Sequence, residues 1–156
     1  MGTSSFEFNI KDNSDEVKHI LFQAQDKILE AWGIEIEKNA KIELGKNPVR
    51  QDTGLLRNSI TYAISGKAPK ITSYRSESVN KKGEPVSPIK TGSYSGSAPM
   101  GMPWKKYVYI GTNVEYAEWV HNGTRRMAPN RFIKNAVENN KSKLESIAKA
   151  GLKGEL

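Results

Sequence analysis

The stretch SDEVKHILFQAQDKILEAWGIEIEKNAKIEL, residues 14–44, decides the fold. Its apolar residues recur at spacings of three and four: Val17, Ile20, Leu21, Ala24, Ile28 and Ala31, then Trp32, Ile36, Ala40 and Leu44. This periodicity predicts one long amphipathic helix. Ser14 is expected to cap its start, and Gly33 permits a kink where the stripe shifts. Gly45 is expected to end the helix ahead of Pro48.

Two later segments show the alternation of apolar and polar residues that is typical of half-buried strands. Residues 56–64 are expected to have one solvent-exposed face. In residues 104–113, one face carries Val108 and Ile110, and the other carries Tyr107 and Tyr109. We expect the two segments to pair antiparallel as a very long hairpin. A short helix at 115–122 and a last helix at 129–151 follow. This order indicates an α+β fold with one domain, residues 1–156.

A long excursion at residues 66–103 separates the two expected strands. It contains five Gly, five Pro and seven Ser among 38 residues, a composition that interrupts long regular elements. Short strands near 71–74 and 86–89 are expected to extend the small sheet, unless a neighbouring subunit's strand does so. Residues 66–106 hold eight basic and two acidic residues, a net charge of +6, against +7 for the whole chain.

Composition excludes several classes of function. The chain has no Cys and two His among its 156 residues, which excludes disulfide frameworks, thiolate metal sites and a cysteine nucleophile. The first thirteen residues lack a basic start followed by an apolar run, so we expect no signal peptide. No apolar stretch approaches the ~18 residues that a membrane helix needs.

Catalytic motifs are also missing from the sequence. There is no phosphate-binding glycine loop, and the segment at 92–96 has Tyr94 where a nucleophile elbow needs Ser. Glu115, Glu118 and His121 are three residues apart on one expected helix, but carboxylate–histidine metal sites draw on several such helices. The sequence therefore favours a polar helix face there, and we expect no enzyme activity, cofactor or metal.

The basic excursion supports one alternative function, a free-standing nucleic-acid-binding module. Lys and Arg neutralise phosphates, and Tyr74 or Tyr94 offers a ring for base stacking. The charge excess is moderate, and no readout motif accompanies it.

Four segments resemble, in order, motifs of one phage protein family. They are DTGLLRNSI at 52–60, VYIGTNVEYA at 108–117, VHNGT at 120–124 and MAPNRFI at 127–133. The third motif has His and Asn in place of an acidic and an aromatic residue, and the fourth has its Pro and Ala in altered positions. The family is that of the gene-ten-like tail-completion, or neck, proteins of long-tailed phages and prophages. The resemblance covers roughly residues 14–150.

The resemblance implies a structural virion protein without catalytic residues, assembled in the host cytoplasm. Such proteins form a ring, taken as a homo-hexamer, at the head–tail junction between a head connector or stopper and the tail tube or tail terminator. DNA passes through the lumen without sequence specificity, and no membrane is involved. A tail-completion role and a tail-terminator role both fit. The matching residues, expected at subunit interfaces, are Asp52, Thr53, Gly54, Leu56, Arg57, Gly111, Thr112, Tyr116, Ala117, Gly123, Thr124, Arg125 and Phe132.

The basic excursion has two possible roles in such a ring. Lys81, Lys82 and Lys90 either clasp a neighbouring ring or face the DNA in the lumen. Clasping is favoured, because a strongly basic lumen retards passing DNA and because the segment VSPI at 86–89 suits docking on a partner.

Overall fold

The computed structural model describes residues 12–46, 54–68, 70–76, 90–96, 98 and 105–156. In these ranges the chain forms, in order, α1 (Ser14–Gly45), α2 (Leu55–Ser59), β1 (Thr61–Ile64), β2 (Lys70–Ser76), β3 (Lys90–Gly96), β4 (Val108–Gly111), α3 (Ala117–Asn122), α4 (Phe132–Glu138) and α5 (Lys141–Lys153). A long N-terminal helix, small antiparallel sheets and short helices make an α+β fold, as the sequence predicts.

Helix α1 runs without interruption for 32 residues and ends at Gly45, as expected. Its start differs from the prediction, because Ser14 is already helical and its N–H donates to the Asp12 carboxylate at 2.9 Å. Helix α1 also continues without a break through Gly33, where the stripe shifts. A Cβ on Gly33 would lie 2.5 Å from Cδ2 of Tyr62, so this glycine permits the close packing of β1.

The segment expected to begin the first strand is helical at its start. Residues Leu55–Ser59 form α2, and only Thr61–Ile64 are extended. Leu56 and Ile60 are four residues apart, a spacing that puts both on one face of a helix and on one face of a strand. The spacing of apolar residues in this segment therefore does not distinguish a helix from a strand. Gly54, with φ 65°, turns the chain into α2.

Strands β1 and β4 pair antiparallel across the excursion, with Ile64 opposite Val108, as expected. On β4, Val108 and Ile110 are half-buried while Tyr107 and Tyr109 are exposed, which confirms the expected faces. The prediction of a solvent-exposed face on β1 is wrong, because all four residues of β1 are buried. Helix α1 packs against β1, and strands β2 and β3 also contact β1.

The excursion contributes a second, separate two-stranded sheet. Strands β2 and β3 pair antiparallel over 7 residues each, with Lys70 opposite Gly96. They pair with each other. Contrary to the expectation, they do not extend the β1–β4 sheet. The strand expected at 71–74 lies within β2, whereas the one expected at 86–89 lies outside the described residues.

The last helix, expected at 129–151, is two helices. Helix α4 begins at Phe132 rather than at Pro129, because the Asn130 N–H donates to the Val120 carbonyl at 2.9 Å and keeps the preceding residues out of the helix. A short turn separates α4 from α5. Helix α3 lies within the expected short helix.

The larger core cluster forms around the C-terminal half of α1. It comprises Ile36, Ala40, Leu44, Leu56, Ile60, Val114, Ala117, Phe132, Ala136 and Leu144. Helix α5 is held against α1 by the Trp32 indole, which donates to the Leu144 carbonyl at 2.8 Å. The middle of α1 packs on β1 instead, where Leu29 meets Tyr62 and Ile64. The core thus covers α1 from its middle to its C-terminal end.

Candidate functional site

A hydroxyl pair joins the first two motif segments. Ser59, at the end of α2, is 0% exposed, and its Oγ lies 2.5 Å from Oγ1 of Thr112. The Ser59 hydroxyl donates to the Leu56 carbonyl at 2.8 Å, so its single hydrogen is used there and Thr112 is the donor in the pair. Thr112 Oγ1 in turn accepts the Val114 N–H at 3.2 Å.

The third motif forms the turn that ends α3. Gly123 has φ 79° and ψ 174°, a conformation that is essentially restricted to glycine. A Cβ there would lie 2.7 Å from the Pro129 nitrogen and 2.8 Å from the Met127 carbonyl oxygen. Thr124 pairs with Met127 across the turn, with N–H to carbonyl distances of 2.8 and 3.1 Å. This turn brings the fourth motif, and with it Phe132, against α3.

These segments enclose an open apolar cleft of about 410 Å³. Its lining residues come from the end of β4, from α3 and from the start of α4: Gly111, Thr112, Ala117, Glu118, His121, Asn122, Phe132, Ile133 and Lys134. Phe132 is only 1% exposed and connects the cleft to the larger core cluster. We refer to this site as the α3–α4 cleft.

His121 is the unusual polar residue of the α3–α4 cleft. Its Nδ1 atom is buried and has no hydrogen-bond partner within the described part of the chain. Its ring packs edge-on against Phe132, with centroids 5.1 Å apart and an angle of 80° between the planes. Burial, and to a lesser extent the nearby positive charge of Arg131, lowers the pKa of His121 below its usual value of 6.5.

Three arginines adjoin the lining segments of the cleft in the sequence. Arg125 and Arg126 follow the Gly123 turn, and Arg131 precedes Phe132; all three are exposed. None of the ion pairs between described residues uses an arginine. Their positive charges therefore remain available to an acidic partner.

Of the predicted interface residues, four lie in the cleft: Gly111, Thr112, Ala117 and Phe132. Leu56 of α2 lies in the larger core cluster with Phe132, and Gly54 precedes α2. Gly123 and Thr124 form the turn, and Tyr116, Arg57 and Arg125 are exposed. Asp52, Thr53, Lys81 and Lys82 lie outside the described residues. Lys90 begins β3, in the stem of the excursion rather than near the cleft motifs.

Neither the role of Ser59 nor the burial of His121 was predicted from the sequence. Ser59 follows the polar residues Arg57 and Asn58, and the alternation of 56–64 puts it on the face that was expected to be exposed. Its partner Thr112 lies 53 residues away, so the pair follows from strand register and not from local pattern.

Two lysines at the base of the excursion are paired with α1. Lys67 lies 3.2 Å from Glu30, and Lys106 contacts Asp26. These pairs fix both ends of the excursion to the same helix. They also neutralise two of the eight cations counted in this region.

Within the described ranges no three His, Asp or Glu side chains are grouped closely enough to hold a metal ion, Glu115, Glu118 and His121 included. In the same residues no helix has both the length and the hydropathy to cross a membrane. Comparison with models of known protein families, with curated proteins and with solved structures returned no match. Function is therefore inferred from the residues and geometry of the site itself.

Proposed function

We propose that this chain is a structural protein of a long-tailed phage or prophage, which forms a ring at the head–tail junction and completes the tail. In this proposal copies of the chain assemble as a homo-hexamer in the host cytoplasm. The ring contacts a head connector or stopper on one side and the tail tube or tail terminator on the other. DNA passes through its lumen without sequence-specific contacts.

The observation that carries the proposal is the convergence of the motif segments on the α3–α4 cleft. Residues of the segments at 108–117, 120–124 and 127–133 line one apolar cleft, and Ser59 of the segment at 54–60 is hydrogen-bonded to the lining residue Thr112. Arg125, Arg126 and Arg131 adjoin these segments in the sequence and form no ion pair with another described residue. Apolar surface with adjacent aromatic and Arg side chains is characteristic of protein interfaces. Trp119 of α3 does not line the cleft but is also exposed, at 62%.

The excursion suits the same role. Its stem is a seven-residue ladder, and Lys67 and Lys106 at its base form ion pairs with Glu30 and Asp26 of α1. The segment that contains Lys81 and Lys82 lies in the sequence between the two strands of this ladder. We propose that this segment clasps a neighbouring ring. Lumen contact with DNA is the other role for the same lysines.

The experiment is a joining assay. Purified chain is added to DNA-filled heads and to tails of the same phage that lack it, and complete particles are counted by electron microscopy. The proposal predicts that joined particles appear only when the chain is added. In parallel, binding to duplex DNA of random sequence is measured at low and high salt. Tight, salt-sensitive binding to DNA without any joining would favour the nucleic-acid-binding module instead.

A further inference from the structure

The first turns of α1 carry apolar side chains that are exposed. Every residue from 14 to 23 is exposed, although the sequence there carries an apolar stripe. Val17, Ile20 and Leu21 are 52%, 58% and 54% exposed. Farther along the same stripe, Ile28 is buried against Gly151 of α5. Helix α5 covers this face of α1 at Ile28 but not towards the N-terminal end. We call the exposed part, formed by Val17, Ile20 and Leu21, the free stripe.

The free stripe is bordered by acidic residues. Asp12, Asp15 and Glu16 surround the start of α1, and the only ion pair that the described residues make there is Lys18 with Asp15, at 3.1 Å. Lys18 and Asp15 are both exposed, so that pair is weak. The end of the helix thus presents an apolar stripe with negative charge at its tip.

The α3–α4 cleft has the complementary character, and it lies at the other end of α1. The cleft is apolar, and Arg125, Arg126 and Arg131, which adjoin its lining segments in the sequence, form no ion pair with a described carboxylate. Phe132 of the cleft packs with Ile36 and Ala40 of α1. At 1.5 Å per residue these positions are about 24 and 30 Å from Ile20 along a straight helix. The free stripe of one copy therefore cannot reach the cleft of the same copy.

We propose that the free stripe of one copy docks in the α3–α4 cleft of the next copy. Val17, Ile20 and Leu21 would contact the apolar lining, and the acidic helix start would face Arg125 and Arg126. An amphipathic helix seated in an apolar groove is a common mode of recognition. Because the two surfaces differ and lie at opposite ends, the contact is heterologous, and its repetition closes a ring where the rotation between successive copies brings the last copy back to the first. This inference rests on the ring proposed above and assigns the surfaces that build it.

The first test replaces one apolar residue of the free stripe and measures association. Ile20→Asp puts a charge in the proposed contact, and Ile34→Asp is the matched control, because Ile34 is an equally exposed isoleucine of α1, at 53%, outside the free stripe. Loss of one buried Ile is expected to weaken each contact about tenfold or more. Analytical ultracentrifugation should therefore show dissociation for Ile20→Asp and unchanged oligomers for Ile34→Asp. Circular dichroism should be the same for both, since neither residue is in the core.

The second test maps the contact directly. The chain has no Cys, so introduced thiols are the only ones present. Leu21→Cys and Ile133→Cys proteins are mixed and mildly oxidised, and the linked peptides are identified by mass spectrometry. We expect links between residues 21 and 133 of different copies. A mixture of Ile34→Cys with Ile133→Cys is the control and should link far less.

The outcomes separate this inference from the ring itself. If the unmodified chain forms rings but Ile20→Asp forms them equally well and no 21–133 link is found, the docking is wrong and the ring stands. Links between two copies of residue 21 would show that the stripes pair with each other, which also overturns the docking. If the unmodified chain never associates, both the docking and the ring are wrong.

Discussion

At the scale of single residues, the site depends on side chains whose partners are distant in sequence. The hydrogen bonds from Val114 to Thr112, from Thr112 to Ser59 and from Ser59 to the Leu56 carbonyl connect α2 to the segment after β4. Each hydroxyl donates once and accepts once. Because Ser59 is fully buried, removal of one member leaves another without a partner.

Thr112→Val is therefore expected to destabilise the fold. Valine keeps the shape of threonine but takes away the acceptor for the Val114 N–H and the donor to Ser59. The cost is about 1–3 kcal/mol in the free energy of unfolding, measured by urea denaturation. Thr112→Ser keeps the hydroxyl and loses one methyl group, so it should cost about 0.8 kcal/mol or less. Equal losses for the two variants would contradict this account of the network.

His121 gives the stability a pH dependence. Its pKa is lowered in the folded protein, so below its usual value of 6.5 the unfolded chain binds the extra proton more readily. The free energy of unfolding should therefore fall as pH drops through 6.5 towards the lowered pKa, and should recover as pH rises. His121→Gln should flatten this slope in thermal melts at a series of pH values. His19→Gln, at the other histidine, is the control; an identical flattening in both variants would exclude His121 as the cause.

At the scale of elements, patterns within a short window predicted well, and patterns that depend on a distant partner did not. The periodicity of α1, the faces of β4 and the short helix α3 are all local, and the structure has them. The structure of 55–59 was misjudged because the spacing of Leu56 and Ile60 suits helix and strand alike. The burial of both faces of β1 was missed because β2 and β3 come from the excursion.

The site was predictable to a similar degree. Gly111, Thr112, Ala117 and Phe132 were singled out from the motifs, and the structure brings them to one cleft. Periodicity shows that an apolar face exists but not what covers it. The exposure of Val17, Ile20 and Leu21 was for that reason not predictable from the spacing alone.

The turn after α3 provides a prediction at this scale. Gly123→Ala adds a Cβ in a backbone region where non-glycine residues cost about 1–3 kcal/mol, and that Cβ meets backbone atoms of Met127 and Pro129. We expect a loss of about 3 kcal/mol or more in the free energy of unfolding, because the turn cannot relax without moving α4.

Gly54→Ala is the matched control for that variant. Gly54 also has a positive φ, 65°, but a Cβ there would meet only the Asn58 side chain at 3.7 Å. Its cost should be about 1–2 kcal/mol. If chemical denaturation gave the larger loss for Gly54→Ala, the close packing described at Gly123 would be wrong.

At the scale of the whole molecule, α1 has two different surfaces near its two ends, both of which we propose as interaction surfaces. The free stripe lies at the N-terminal end, and the α3–α4 cleft lies beside the C-terminal half. The excursion is fixed to the middle of the helix through Glu30 and Asp26. This arrangement suits a subunit that contacts two copies of itself and presents a basic hairpin to a third partner.

The hairpin leads to a prediction about joining. Replacement of Lys81, Lys82 and Lys90 by Ser should reduce joining of heads to tails without changing the mass of the ring, because these lysines lie far along the chain from both ring surfaces. Complete particles counted by electron microscopy provide the measurement. Lys141→Ser with Lys149→Ser, on α5, is a charge-removal control. Joining unchanged by the hairpin variant would show that these lysines clasp no partner.

The most direct test of the central claim is the mass of the purified chain by light scattering coupled to size exclusion, at low and high salt. The account predicts a closed assembly several times the 17.4 kDa of one chain, or a monomer that reaches such a mass when tail components are added. A chain that remains at 17.4 kDa at both salt concentrations, with and without tail components, would contradict the account.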